Sequence, residues 1–217
     1  MIHEIDKQTN KMTKLESYFR YLNEYNYNDI TIGIQQIQEE FLEFLSIIKC
    51  KSPRLILEIG TADGGTLLLF TKVLQLDGTI ISIDLSGNRF DRYPDWKIPL
   101  YESYKNNNQR IVIIRGSSHD KEIYYNITNL LSKIEKLDVL FIDGDHSYNG
   151  VLNDYNLYSK LVKKDGIIAF HDIVPGNIST VGGVPIFWNT IKREKRTYEI
   201  IKNKHQHGCG IGIIFND

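Results

Sequence analysis

Five ionisable side chains cluster just after two short apolar runs that the sequence predicts to be neighbouring strands. They are Asp143, Asp145, His146, His171 and Asp172. Carboxylates this close together need a counter-charge, and a divalent cation supplies one. Asp143, His171 and Asp172 could serve as ligands of mixed oxygen and nitrogen type, with water and hydroxyl groups completing an octahedron. The alternatives are that Asp143 caps a helix or touches a ligand directly, and that His171 is a hydrogen-bonded core histidine.

A glycine-rich loop follows another apolar run, Leu55–Ile59. The segment Glu58–Gly65 reads EIGTADGG, and the next apolar run ends at Asp84. Glycine lets backbone approach a ligand closely because it has no Cβ. An acid at the end of the following strand can accept hydrogen bonds from both hydroxyls of a ribose. The glycine-rich loop and Asp84 together therefore predict a site for a nucleoside-containing ligand.

The spacing of the loop narrows the choice of ligand. Its glycines follow Gly-x-x-x-Gly-Gly, whereas dinucleotide folds use Gly-x-Gly-x-x-Gly to make room for a pyrophosphate. Glu58 would repel a pyrophosphate and favour a cationic ligand that carries an ammonium or a sulfonium. The alternative interpretation of the glycines is a tight turn between strand and helix that binds nothing.

The elements that must position these residues alternate along the chain. Five apolar runs, each four or five residues long, have the composition of strands buried on both faces of a parallel sheet. They are Leu55–Ile59, Ile80–Ile83, Ile111–Ile114, Val139–Ile142 and Ile167–Phe170. Helices are predicted between them at Thr66–Leu76 and Tyr148–Val162. The alternation predicts a doubly wound α/β sheet.

Other regions depart from the alternation. Residues 1–50 have helical periodicity, and residues 86–108 resemble an inserted loop plus a short helix. Near the end, Ile186–Arg193 is predicted to be a helix, and Thr197–Ile201 and Gly210–Phe215 two closing strands. The histidines and the cysteine between those strands (His205, His207 and Cys209) are predicted to form a polar hairpin loop rather than a metal clip, because no fourth ligand lies at a useful spacing.

The bulk composition is that of an ordinary globular domain. The chain has 217 residues, of which 41% are hydrophobic and 24% charged, and a net charge of −1. No block of one charge sign indicates a nucleic-acid or membrane partner. The start of the sequence has no apolar run like that of a signal peptide, so we expect a cytoplasmic protein. Cys50 and Cys209 are expected to be reduced thiols.

Several motifs together resemble class I methyltransferases that depend on S-adenosylmethionine. Glu58–Gly65 resembles their motif I, and Ile81–Asp84 resembles the acidic motif that follows it. Gly116–Ser118, Phe141–Tyr148 and Phe170–Asp172 are similar to a branch that includes macrocin-type sugar O-methyltransferases and cephalosporin-hydroxylase-like proteins. The resemblance extends from about residue 35 to residue 217.

The resemblance implies a Rossmann-like, seven-stranded and mostly parallel sheet with helices on both faces and an antiparallel C-terminal strand. Residues 1–50 would be a helical extension packed on the methyltransferase domain of residues 51–217. In the implied cofactor site, Glu58 holds the methionine amino group, Asp84 holds the ribose, and Ser118 with His119 lies near the adenine. The full implied set is Glu58, Gly60, Thr61, Gly64, Asp84, Ser118, His119 and Asp143. A glutamine near the active site is also implied, at Gln35 or Gln36.

The implied reaction is O-methylation of a hydroxyl on a sugar or small natural product. His146 has the offset from Asp143 at which related enzymes place their base, and Asp145 is the competing candidate. Related enzymes bind magnesium through an acid after the fourth strand and an acidic pair after the fifth. His171 stands where they have a carboxylate, which weakens the case for Mg²⁺ and admits Mn²⁺, iron or a site without a metal. An NAD(P)-dependent oxidoreductase and a catalytically silent cofactor-binding protein are the alternatives, and a homodimer is expected from the family.

Overall fold

Seven strands form one sheet in the computed structural model, which describes residue 8 and residues 12–27, 30–85, 95–106 and 108–217. The strands are β1 (Leu55–Ile59), β2 (Thr79–Asp84), β3 (Arg110–Arg115), β4 (Leu137–Ile142), β5 (Val162–His171), β6 (Thr197–Ile200) and β7 (Ile211–Asn216). Their order across the sheet is β3-β2-β1-β4-β5-β7-β6. Strands β1 to β5 pair in parallel, and β7 runs antiparallel to both β5 and β6. The predicted sheet is confirmed.

Helices cover both faces of this sheet. They are α1 (Leu15–Glu24), α2 (Gln38–Cys50), α3 (Gly65–Thr71), α4 (Ile98–Ser103), α5 (Lys121–Leu131), α6 (Tyr148–Tyr158), α7 (Ile178–Val181) and α8 (Val184–Ile191). Within the described part of the chain, none of the helices combines the length and the apolar character needed to cross a bilayer.

Two hydrophobic clusters, one on each face, hold the layers together. One joins α1 to α4 to the sheet, and the other joins α5, α6 and α8 to it. Every residue of β1 and of β4 is buried, as their continuous apolar runs predict. Phe44 of α2 stacks on Phe141 of β4 with ring centroids 5.5 Å apart, and Phe41 and Phe70 complete the aromatic group. The N-terminal helices therefore share the core of the sheet.

The predicted helix Thr66–Leu76 was wrong in length, because α3 ends at Thr71. The side chain of Gln109 explains the early end. Its Nε2 donates to the carbonyl of Thr71 at 2.9 Å, and the N–H of Gln75, which a longer helix would pair with that carbonyl, donates to the carbonyl of Pro53 instead. A buried polar side chain from 35 or more residues away thus ends the helix.

Other boundaries shift by smaller amounts. The helix predicted over Tyr148–Val162 ends at Tyr158, a short 3₁₀ turn follows, and Val162 already belongs to β5. The predicted helix Ile186–Arg193 begins earlier, at Val184, because Pro185 fits the first turn of a helix. Helix α4 is the short helix expected within 86–108, while 86–94 and 107 lie outside the described residues.

Glu40 of α2 ties the N-terminal helices to the loop between β6 and β7. Its buried carboxylate accepts hydrogen bonds from the backbone N–H groups of Lys202 and Gly210 at 2.9 Å, and from Nε2 of Gln206 at 2.7 Å. The loop that carries Cys209 is therefore fixed against α2, although the two are far apart in sequence.

Candidate functional site

A cavity of about 870 Å³ opens where β1, β2, β4 and β5 end. Its walls come from the glycine loop, from the segments that follow β2 to β5, from an N-terminal strap (residues 33–36), and from the loop around Cys209. Ligands of open α/β sheets bind at this edge of the sheet. The volume is large enough for a nucleoside cofactor and a small second ligand, since such pockets span roughly 300–1,000 Å³.

The glycine loop adopts backbone conformations that need its glycines. Gly60 and Gly64 have φ values of +94° and +88°. A Cβ on Gly60 would lie 2.0 Å from the carbonyl oxygen of Asp143, and one on Gly64 would lie 2.3 Å from the ring of Tyr101. Part of the glycine pattern is therefore explained by close packing. That packing lets the loop pass directly over the end of β4.

Asp84 supports the same loop from the end of β2. Its Oδ2 accepts hydrogen bonds from the backbone N–H groups of Thr61 and Ala62, at 3.0 and 2.7 Å. Burial raises the pKa of Asp84 above its usual value, although these N–H groups oppose the shift. Asp84 also lines the cavity, so lone pairs that the loop does not use can face a ligand.

Glu58 lies beneath the cavity and is fully buried. It accepts hydrogen bonds from the hydroxyls of Thr66 at 2.5 Å and Ser82 at 3.0 Å. Burial raises the pKa of Glu58 to about 8, despite the opposing effect of the hydroxyls. Thr66 lines the cavity above it and Glu58 itself does not. The predicted contact of Glu58 with an amino group would therefore require a rearrangement of Thr66, and it stays a prediction.

Ser118 and His119 lie in the cavity wall after β3, supported by helix α6. The hydroxyl of Tyr158 donates to the carbonyl of Ser118 at 2.7 Å. Nε2 of His119 lies 3.2 Å from Oδ1 of Asp154, a carboxylate with no exposed surface. Burial raises the pKa of Asp154 to about 6, and its contacts with Ser118 and His119 oppose the shift. Asp154 could not be recognised from the sequence, because it lies inside a helix with no motif around it.

The charged edge is the part of the cavity wall formed by Asp143, Asp145, His146, His171 and Asp172. Asp143 connects several of these residues. Its Oδ2 accepts a hydrogen bond of 2.7 Å from Nε2 of Gln36, and its Oδ1 lies 3.2 Å from Nδ1 of His171 and 3.3 Å from Nε2 of His146. Burial would raise the pKa of Asp143, but the two imidazoles lower it well below its usual value. Ser147 caps α6 by accepting from the N–H of Gly150, so Asp143 is not the helix cap.

His146 sits between two carboxylates at the cavity wall. Its Nδ1 contacts the Thr180 carbonyl and lies 3.3 Å from Oδ2 of Asp172, while its Nε2 faces Asp143. Burial would lower the pKa of His146, but these contacts raise it to about 9, so the ring is positively charged at neutral pH. Asp145 lies beside it in the wall, is exposed, and accepts from the N–H of Ser147 at 2.9 Å.

Two groups of potential metal ligands share Asp172. Asp143, His146 and Asp172 form one group, and His171, Asp172 and Cys209 form the other, with donor atoms within 4.8 Å of one another in each. Carboxylates and imidazoles suit divalent cations, so the residues present fit such an ion. The predicted set of Asp143, His171 and Asp172 falls across the two groups. Cys209 was assigned to a polar hairpin loop, yet it lines the cavity.

The structure therefore brings the predicted residues to one edge of one cavity, apart from Glu58 beneath it and Gly64, which packs against the ring of Tyr101 and does not line the cavity. Gln36 was indicated only by the family resemblance. Thr180 could not be assigned to the site from the sequence, because it follows the end of β5 by several residues. Cys209 could not be assigned to it either, because its loop is distant in sequence from the other site residues.

The sheet order and the antiparallel β7 define the class I methyltransferase fold, and the glycine loop and Asp84 occupy the expected strand ends. A family model described as a methyltransferase domain matches residues 57–173, which is more than half of the chain. The chain belongs to this family. The match spans β1 to β5, including the glycine loop and both ends of the charged edge.

One curated relative is uncharacterized protein R132 of Acanthamoeba polyphaga mimivirus, 35% identical over 125 residues. The match covers 53% of this chain and 49% of the relative, so the chain spans about half the length of the relative it matches. An O-methyltransferase from Bacillus cereus, solved in complex with SAH, is 20% identical with a TM-score of 0.62, covering 99% of this chain and 100% of that one.

The O-methyltransferase TomG from Streptomyces achromogenes, involved in tomaymycin synthesis and solved with SAM, is 14% identical with a TM-score of 0.57. The alignment covers 99% of this chain and 96% of that chain. At these identities the two solved structures establish a shared fold and nothing finer.

Proposed function

We propose that this chain is an S-adenosylmethionine-dependent O-methyltransferase that acts on a hydroxyl of a sugar or small natural product. The observation that carries the proposal is one cavity that runs from the glycine loop and Asp84 to the charged edge at Asp143 and His146. The acceptor class rests on the resemblance of Phe141–Tyr148 and Phe170–Asp172 to the sugar O-methyltransferase branch.

The cofactor half of the site would lie over β1, β2 and β3. Adenosylmethionine supplies an electrophilic methyl group, and its sulfonium becomes a thioether when the methyl group leaves. Asp84 would accept hydrogen bonds from the ribose hydroxyls. Ser118 and His119 would lie beside the adenine, with Asp154 orienting the imidazole. Because Gly60 has no Cβ, the loop can pack over the end of β4, and this packing would set the floor of the cofactor site.

The acceptor half would lie at the charged edge. As its oxygen attacks the methyl carbon, the hydroxyl must lose its proton, and His146 is the proposed proton acceptor. His146 faces the cavity with 34% of its side chain exposed, and the Thr180 carbonyl fixes its ring. This role requires a neutral imidazole, so another cation must first neutralise Asp143 and Asp172. Asp145 is the alternative base.

A divalent cation would fit the same edge, and the nitrogen donor of His171 favours Mn²⁺ over Mg²⁺. Asp143, His171 and Asp172 would hold it, and it would lower the pKa of a bound hydroxyl. The two carboxylates already lie within 3.5 Å of the ring nitrogen of His171, so small side-chain movements would bring all three to one ion.

Calorimetry with adenosylhomocysteine and with NAD separates the candidate functions. We expect adenosylhomocysteine to bind and NAD to show no heat, and Asp84→Asn to weaken the binding. Tight binding of NAD alone would overturn the proposal in favour of an oxidoreductase. Methyl transfer would then be measured on a panel of glycans and phenols, with and without Mg²⁺ or Mn²⁺. Cofactor binding with no transfer to any acceptor would favour a catalytically silent protein. Light scattering tests the expected homodimer separately.

A further inference from the structure

His171, Asp172 and Cys209 bring three different donor types to one wall of the cavity. Their donor atoms lie within 4.8 Å of one another. His171 and Asp172 are 5% and 9% exposed in their side chains, and Cys209 is partly exposed. Bonds of about 2.0–2.3 Å place the ligands of a tetrahedral zinc roughly 3–4 Å apart. Small side-chain movements would therefore bring these atoms to a common ion.

His171 has binding capacity that the protein does not use. Its Nδ1 lies 3.2 Å from Oδ1 of Asp143 and 3.5 Å from Oδ1 of Asp172. Its Nε2 is buried and has no hydrogen-bond partner among the described residues. A buried polar nitrogen left in this state is costly, and a bound cation beside the ring would remove the cost. The ring also lines the cavity, so a ligand can reach it.

The backbone holds Cys209 in place facing Asp172. Cys209 has φ +57° and Asp172 has φ +62°, both in the left-handed region that residues with a Cβ rarely adopt. The N–H of Cys209 donates to Oδ1 of Asp172 at 3.0 Å, and its carbonyl accepts from the N–H of Val174. Glu40 fixes the next residue, Gly210. The loop therefore presents the thiol at a fixed position beside two other donors.

We propose that His171, Asp172 and Cys209 bind a zinc-class transition metal, such as Zn²⁺, Co²⁺ or Fe²⁺, with the Cys209 thiolate as a ligand. Sulfur and imidazole donors favour these ions, whereas Mg²⁺ prefers oxygen donors alone. Asp143 lies 3.2 Å from Nδ1 of His171 and so acts as the hydrogen-bond partner that orients the ring and leaves Nε2 for the ion. This inference rests on the proposed function, which already places a cation beside Asp143 and Asp172. It names the class of that metal and adds Cys209 to its ligands.

Cobalt titration of the reduced, metal-free full chain tests the thiolate directly. We expect a thiolate-to-cobalt charge-transfer absorption in the near ultraviolet, which an excess of Mg²⁺ does not remove. Cys209→Ser should abolish this absorption and weaken Zn²⁺ affinity at least about 10-fold. The matched control is Cys50→Ser, since Cys50 is the other cysteine of the chain and lies exposed at the end of α2. It should leave both signals unchanged.

A second measurement needs no variant. Zn²⁺ should slow alkylation of Cys209 in the wild-type chain and leave alkylation of Cys50, the internal reference, unaffected. The inference is overturned if cobalt produces no charge-transfer absorption, if Cys209→Ser retains it, or if Zn²⁺ gives Cys209 no protection. Adenosylhomocysteine binding is measured on the same metal-free protein. Cofactor binding without a thiolate signal would contradict only this inference, and a thiolate signal without cofactor binding would contradict only the proposed function.

Discussion

Nε2 of Gln36 donates a hydrogen bond of 2.7 Å to Oδ2 of Asp143, across 107 positions of the sequence. Asp143 is a carboxylate whose low pKa leaves it only accepting hydrogen bonds, so the amide nitrogen of Gln36 must face it. Oε1 of Gln36 is then left buried without a partner among the described residues, and Gln36 lines the cavity. The N-terminal strap thus contributes a fixed acceptor to the site.

Gln36→Ala should lower kcat/KM for methyl transfer by about 10- to 100-fold. The substitution removes a hydrogen bond to a charged group, which contributes roughly 1.5–3 kcal/mol. The matched control is Gln38→Ala, because Gln38 is a partly exposed glutamine two residues further along that does not line the cavity. Steady-state kinetics of the three proteins would decide, and equal rates for wild type and Gln36→Ala would rule out this role.

Gly60→Ala should destabilise the protein by roughly 2–4 kcal/mol, since it combines a left-handed backbone with a steric clash. The added Cβ would lie 2.0 Å from the carbonyl oxygen of Asp143. Gly33→Ala is the control, because the nearest atom to its Cβ would be 3.9 Å away. Urea denaturation measures both free energies of unfolding. A small loss for Gly60→Ala would mean that the loop can move off the end of β4.

The pKa of Glu58 predicts a loss of stability with rising pH. Folding raises this pKa from 4.5 to about 8, so the folded state holds a proton that the unfolded state has released. Stability from this group is therefore complete below the unfolded pKa and decreases as pH rises from 4.5 to about 8. Glu58→Gln should remove this component. Denaturation at about pH 5 and about pH 9 would show it, and identical pH profiles for both proteins would contradict the assignment.

His146→Ala should reduce kcat by about 10²- to 10⁴-fold if His146 accepts the hydroxyl proton. Asp145→Asn should change kcat by less than about 10-fold, because the exposed Asp145 would then only accept a hydrogen bond from Ser147. Calorimetry with adenosylhomocysteine checks that neither variant has lost the cofactor site. The reverse pattern of rates would identify Asp145 as the base.

Continuous apolar runs made the centre of the sheet predictable from sequence. Strand β1 has the predicted bounds, because all of its residues are buried and the polar segment before Leu55 marks its start. Strand β5 begins at Val162, five residues earlier than predicted. The prediction missed this start because Lys163–Asp165 are polar and exposed and so do not form an apolar run. The exposed start of β5 is defined by its pairing with β4 and not by its composition. Val162 pairs with Leu137, and the register of the two strands shifts between Leu137 and Val139.

The charged edge was predictable for a similar reason. Asp143 and His171 terminate neighbouring parallel strands, and such ends meet at one edge of a sheet. Gln36 and Cys209 were not predictable from strand ends. Gln36 precedes the first strand, and Cys209 reaches Asp172 only because β7 returns antiparallel beside β5. The raised pKa of His146 was not predictable either, because it depends on Thr180 and Asp172, which only the fold brings beside Asp143 and the imidazole.

The three hydrogen bonds of Glu40 also constrain the order in which the protein can mature. Residues near position 40 emerge from the ribosome before their partners at Lys202, Gln206 and Gly210 are made. The cavity wall that carries Cys209 therefore cannot close on a nascent chain until synthesis has passed β7. Until then the carboxylate of Glu40 lacks these three donors, and the cavity of the partly made protein lacks one of its walls.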